Sequence, residues 1–168
     1  SGVTIPGTGI LMNNQMNNFA YRYGDKKERG RGASTGNRFE PGKNPMSTMA
    51  PTMIFNKEGE LMLVTGSPGG SLIPAAILRV ITGIIDFDLD IGQATMLPRV
   101  HKDWPTTGIL YERTVNSDVV RIINKRIGHK MTPEHTMGST QSIHIIDGVN
   151  YGYADLRRPG ASVSSQEN

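Results

Sequence analysis

The chain has 168 residues, enough for one domain with a real core and too few to require two. Its apolar and charged shares, 36% and 20%, fit a soluble domain generous in loops, and 20 glycines with 10 prolines favour strands and turns over a helical bundle. A formal charge of +3 is too mild to argue for a nucleic-acid surface, and the lack of cysteine excludes disulfides, thiolate catalysis and cysteine-ligated zinc.

In chain order, residues 1–19 read as extended, with Val3, Ile5 and the run Ile10, Leu11, Met12 broken by Pro6 and glycines. They end in a cluster of four asparagines and one glutamine at 13–18, too polar for a buried strand. That cluster is either a solvated loop or a hydrogen-bonding surface facing something polar. Residues 20–44 mix charges and glycines with no apolar period, which predicts a mobile surface loop, one option being a cover over a site. Residues 45–51 (PMSTMAP) form a proline-bounded turn carrying adjacent hydroxyls on Ser47 and Thr48, and Met46, Met49 and Met53 are read as packing residues.

Two apolar runs, 52–55 and 60–65, flank the turn at 56–59 and predict a hairpin. The second run leads into Gly66, Ser67, Pro68, Gly69, Gly70 and Ser71, and a helix is expected from Ser71 to about Asp86. Adjacent glycines permit positive φ and a close backbone approach, and a helix start offers unpaired N–H groups. From these residues alone two readings stand side by side: an ordinary tight turn and an oxyanion hole. The helix is apolar all round and is expected to lie between two layers. Its apolar stretch, interrupted by Pro74, Arg79 and Thr82, is too short and too polar to span a bilayer.

A short helix is expected near Asp90, and 98–101 and 109–113 look extended. Ser117 is placed as the cap of an amphipathic helix whose apolar face is Val119, Val120, Ile122, Ile123 and Ile127, stopped by Gly128. Strands at 139–146 and 151–154 close the chain around an Asp147–Gly148 turn. This order predicts an α+β class with antiparallel strands in the middle. The four histidines share no ligand spacing, so no metal site is expected, and neither a nucleophile elbow nor a phosphate-binding glycine loop is present.

Six ordered stretches change the reading. They are 13–19 (NNQMNNF), 45–51 (PMSTMAP), 65–71 (TGSPGGS), 94–99 (ATMLPR), 137–142 (MGSTQS) and 151–160 (YGYADLRRPG). Together they closely resemble the small subunit of the gamma-glutamyltransferases (gamma-glutamyltranspeptidases, glutathione hydrolases) over nearly the whole chain. The resemblance implies an N-terminal nucleophile hydrolase, an αββα sandwich of antiparallel sheets, of which residues 1–168 form a single domain in the C-terminal part of the small subunit. It implies a precursor that cleaves itself, a large subunit as partner, and a small γ-glutamyl substrate such as glutathione. It also implies a threonine nucleophile whose own amine is the base, with no cofactor.

Family small subunits open with Thr-Thr or Thr-Ser ahead of the stretch that matches residues 1–9, so the nucleophile is expected upstream of Ser1. Carried over residue by residue, Gly69 and Gly70 match the oxyanion-hole glycines. Ser47 and Thr48 match the pair that binds the α-carboxylate of the donor, and Gln15 an amine-binding position. Asn18 stands where the family usually has aspartate for the α-ammonium, which leaves room for cephalosporin or glutaryl acylases and poly-γ-glutamate hydrolases as relatives in function. A non-catalytic subunit that kept the fold is the reading from another class. Arg157 and Arg158 match paired arginines assigned to substrate binding. The resemblance favours a periplasmic or extracellular location over a cytoplasmic one; no signal peptide is legible in these residues.

Overall fold

The computed structural model describes residues 1–20, 35–103 and 108–165, and the chain divides into two compact units, Ser1–Ser47 and Thr48–Asn168.

In the first unit a two-stranded excursion, bridged at Thr4 and Leu11, closes with Ile5 N–H to Ile10 O and Met12 N–H to Val3 O. A 3-10 turn follows at Gln15–Asn18. The apolar centre is small: Phe19 and Ala20 are buried, and Phe19 meets Phe39 edge to face at 5.3 Å. Of the stretch 20–44 expected to be a mobile loop, residues 21–34 lie outside the described residues. Its flanks are ordered, with Ala20 bridged to Arg38 and Asn37 buried at the end of the 3-10 turn Thr35–Asn37.

The second unit carries β1 (Thr52–Phe55), β2 (Leu61–Gly66), α1 (Ile73–Ile85), α2 (Ile91–Met96), β3 (Val100–His101), β4 (Ile109–Glu112), α3 (Ser117–Ile122), β5 (Met131–Glu134), β6 (Gln141–Ile146) and β7 (Val149–Ala154). The hairpin β1–β2 turns on Asn56, whose Oδ1 accepts from the N–H groups of Glu58 and Glu60. β2 then pairs with β6, and β6 with β7, to give a four-stranded antiparallel sheet in the order β1-β2-β6-β7. The turn Asp147–Gly148 sits in the left-handed region at both residues, as a two-residue hairpin loop requires.

Pairing partners share a face, so Leu63 and Thr65 point to the same side of the sheet as Ser142 and His144. On that side Leu63 packs with Val80, Ile84, Ile91 and Ala94 to make the core. α1 and α2 approach closely: a Cβ on Gly83 would lie 2.9 Å from the Ala94 Cβ. α2 starts with a complete capping box between Asp90 and Gln93.

Several expectations are corrected. α1 begins at Ile73, two residues later than expected, because a 3-10 turn at Gly70–Leu72 takes up the glycines. It buries one face only, leaving Leu78 59% and Ile85 50% exposed, since this unit supplies a layer on just one side. Asn116, not Ser117, caps α3, accepting from Asp118 N–H, and the helix loosens into a π-turn over Ile123–Ile127 before Gly128. Of its expected apolar face, Val119, Ile122 and Ile127 are exposed, while Val120 and Ile123 are half-buried. β5 was not expected at all; it contains Pro133 and runs parallel to β4 in a second, three-stranded sheet ordered β3-β4-β5. Among the described residues, no helix is long and apolar enough to cross a membrane.

Candidate active site

β2 delivers the chain into Ser67, Pro68, Gly69 and Gly70, and the next turn starts α1. Gly69 has φ +143° and Gly70 φ +59°, values that an L side chain adopts only under strain. Neither the Gly69 nor the Gly70 N–H donates to an acceptor among the described residues. Gly69 is half-buried and Gly70 exposed, so the second donor is open to solvent. Both sit just before the N-terminus of a 13-residue helix, where the backbone field favours negative charge.

Behind the turn lies a cluster of charge that the sequence did not reveal as a unit. Arg99, Glu112 and Asp155 are buried, at 2%, 3% and 0% exposure, and Arg157 joins them. Arg99 pairs with Asp155 at 2.7 Å; Arg157 pairs with Glu112 at 2.7 Å and with Asp155 at 3.2 Å. The charges of the quartet cancel. All five N–H donors of Arg157 are used, on Glu112, Asp155 and the carbonyls of Thr95 and Leu97. That leaves Arg157 no free donor for a substrate. Arg158 is exposed.

Three of these side chains, Arg99, Glu112 and Asp155, hold residues 137–140, and Arg157 braces the two carboxylates. Arg99 Nη1 donates to Met137 O at 2.6 Å, and Met137 N–H donates to Glu112 Oε1 at 2.9 Å. Thr140 N–H donates to Asp155 Oδ2 at 2.9 Å. Burial alone would push both carboxyls up, but hydrogen bonds from Arg157 and from the Met137 and Arg99 N–H groups hold Glu112 below the usual range. Asp155 is held down in the same way, by the Arg157 and Thr140 N–H groups and the Arg99 charge. Elsewhere in this unit burial lowers His144, whose buried Nδ1 has no partner among the described residues.

In the first unit the 3-10 turn brings Gln15 to Ser47, with Nε2 donating to Oγ at 3.3 Å. Asn18 is half-buried and its side chain makes no hydrogen bond among the described residues. Its carbonyl accepts from Asn37 Nδ2 at 2.7 Å, while Asn37 Oδ1 accepts from Met46 N–H at 2.9 Å. Asn37 therefore ties the segment carrying Asn18 to the one carrying Ser47. It was missed because it lies in a stretch that reads as loop by composition. Ser47 is exposed and closes this unit; Thr48, half-buried, opens the next. Among the described residues no group of three or more His, Asp or Glu side chains is placed to hold a metal ion.

Comparison with known proteins places these features in context. The profile of the gamma-glutamyltranspeptidase family matches residues 1–165. A glutathione hydrolase proenzyme of Escherichia coli is 37% identical over 158 residues, covering 94% of this chain and 27% of that protein. The chain thus spans about a quarter of the length of such a curated relative. The gamma-glutamyltranspeptidase T380A mutant of Helicobacter pylori superposes with a TM-score of 0.81 at 32% identity, covering 94% of this chain and 87% of that one. A cephalosporin acylase from Bacillus halodurans superposes with a TM-score of 0.75 at 26% identity, over 99% of this chain and 30% of that one. The expected α+β fold of the N-terminal nucleophile hydrolases holds. On a match that runs from end to end of the described residues, the chain belongs to the gamma-glutamyltranspeptidase family.

Proposed function

We propose that the protein of which this chain is part cleaves γ-glutamyl amides such as glutathione and passes the acyl group to water or an amine. The observation that carries the reading is the Gly69–Gly70 turn: two successive N–H donors with no acceptor among the described residues, at the positions that match the family's oxyanion glycines. A threonine supplied upstream attacks the γ-carbonyl, with its own α-amine taking the hydroxyl proton. Negative charge then gathers on the carbonyl oxygen, and the Gly69 and Gly70 N–H groups stabilise it. Collapse expels the amine and leaves an acyl-enzyme, which water or an acceptor amine resolves.

In this reading Ser47 and Thr48 hold the donor's α-carboxylate, and Gln15 and Asn18 its α-amine. The hydrogen bond from Gln15 to Ser47 supports the first unit's share, because it presets two of these side chains. Arg157 serves the site by fixing Glu112 and Asp155, the carboxylates that hold residues 137–140, rather than by touching substrate. The partner is the large subunit of the same precursor. Apolar side chains left open on one sheet face (Met53 at 64%, Ile143 at 44%) and on α1 (Leu78 at 59%) are the surface it would cover. A periplasmic or extracellular location goes with this reading.

A specific observation favours a second donor class. Asn18 offers a neutral amide where a carboxylate is usual, which suits acyl groups lacking a free ammonium, as in an acylase.

The test of the primary reading is Gly70→Ala in the intact protein. A Cβ there meets nothing within 4 Å of the described residues, but at φ +59° it strains the backbone, so the change re-aims the N–H without a steric clash. kcat should fall on the order of 10²-fold with KM changed far less. An unchanged kcat would remove the oxyanion assignment.

A further inference from the structure

We infer that Ser67 and Gly138 are positioning residues that aim the Gly69 N–H, an inference that rests on the oxyanion reading above. The argument starts from one peptide plane. The Pro68 carbonyl and the Gly69 N–H belong to the same planar unit, so fixing the first fixes the direction of the second. Ser67 Oγ donates to Pro68 O at 2.8 Å. The same oxygen accepts from Ser139 N–H at 2.9 Å, so its proton is committed to the carbonyl and its lone pair to a second segment. One hydroxyl thus ties the plane that carries the Gly69 donor to residues 137–140. Such chained hydrogen bonds polarise one another, which also strengthens the far N–H as a donor.

The second segment is an anchor. Met137, Ser139 and Thr140 are at most 2% exposed, and the quartet holds them through Met137 O, Met137 N–H and Thr140 N–H. Gly138, at φ +72°, lets the two backbones meet. A Cβ on Gly138 would lie 2.7 Å from Ser67 Oγ, 3.0 Å from the Ala76 Cβ and 3.2 Å from Pro68 O. Reciprocally, a Cβ on Gly69 would lie 3.2 Å from Gly138 Cα. Neither glycine has space for a side chain, so the turn cannot relax backward when charge develops in front of it. The donor is therefore held in place before the reaction rather than recruited during it, which is how such sites lower barriers.

The experiment compares Ser67→Ala, Ser67→Thr, Gly138→Ala and the double variant Ser67→Ala/Gly138→Ala in the intact protein. kcat is expressed per processed molecule, and Gly70→Ala is carried alongside. Ser67→Ala should lower kcat roughly tenfold, with KM within about twofold, the loss of one well-made hydrogen bond being felt mainly in the transition state. Ser67→Thr, which keeps the hydroxyl, should retain most of kcat. Gly138→Ala should lower kcat on the order of 10²-fold, and the double variant should fall no lower, because both changes act through one peptide plane. Should Gly138→Ala fail to fold, the Ser67 pair still decides. If Gly70→Ala lowers kcat while Ser67→Ala matches wild type, or if losses multiply in the double variant, the positioning inference is overturned and the oxyanion reading stands. If Gly70→Ala is itself silent, both fall together.

Discussion

Glu112→Gln tests whether the buried quartet is what keeps residues 137–140 in place. The substitution keeps size and shape and removes one charge. Glu112 accepts four hydrogen bonds: Oε1 from Met137 N–H and Arg157 Nε, Oε2 from Arg99 N–H and Arg157 Nη2. Whichever way the new amide turns, its NH₂ faces two of those donors and loses both bonds. One lost bond is to a guanidinium, worth about 1.5–3 kcal/mol, and one to a backbone N–H, worth about 0.5–1.5 kcal/mol. The quartet also acquires an unbalanced positive charge. Together these match the roughly 3–5 kcal/mol expected when one partner of a buried pair is removed. Native-state hydrogen exchange at Arg99 and Met137, both bonded to Glu112, should accelerate on the order of 10²–10³-fold. A pH signature accompanies it. The folded-state carboxyl is held below its ordinary 4.5, so its contribution is present above that range and is lost as pH falls through the depressed value. Wild type and variant should therefore converge in acid. Unchanged exchange at neutral pH, or a gap that does not narrow as pH falls below 4.5, refutes the reasoning.

Asn37→Ala leaves Met46 N–H and Asn18 O without the side chain that joins them, so KM for the donor should rise about tenfold with kcat less affected; an unchanged KM means the tie is incidental to binding. Asn18→Asp should improve kcat/KM for donors with a free α-ammonium and harm glutaryl donors, by placing an unpaired carboxylate beside an apolar chain. Equal response of both donors would take Asn18 out of the donor site. His144 is held below its ordinary 6.5 by burial, so the unfolded chain takes up a proton that the folded one resists, and stability falls as pH drops below about 6.5. His144→Gln should flatten the fall of thermal midpoints below about pH 6.5, and an unchanged slope would count against it.

What the sequence could show was local. The β1–β2 hairpin, α1, the capped start of α2 and the closing pair β6–β7 were all legible because turn chemistry and apolar period lie within a few residues of each other. β5 was hidden by its own composition: Pro133 weakens any strand reading, and its partner β4 pairs in parallel across 22 residues of register. The exposed face of α1 has a different cause. An all-round apolar helix calls for two layers, and this unit furnishes one. The open side is the same physical fact that motivates a large subunit as partner.

The quartet was invisible for a reason that bears on the site itself. Its members stand at 99, 112, 155 and 157, and nothing in local spacing pairs them. One signal was available. Glu112 ends the apolar run Ile109, Leu110, Tyr111, where a charge is out of place unless it is buried against an opposite one. The glycines give the complementary lesson. From sequence, Gly69 and Gly70 stood out and Gly138 did not, because a glycine pair after a strand is a pattern and a single glycine after a methionine is not. Yet Gly138 and Gly69 answer the same steric demand, each forbidding a Cβ to the other's backbone. If the Gly69–Gly70 turn stabilises an oxyanion as proposed, its donors need something rigid behind them. Here that support is a segment whose carbonyl and N–H groups are fixed by Arg99, Glu112 and Asp155, with Arg157 bringing the buried charge to zero. The glycine pair was legible in sequence, whereas the contact of Ser67 and Gly138 behind it is visible only in the fold.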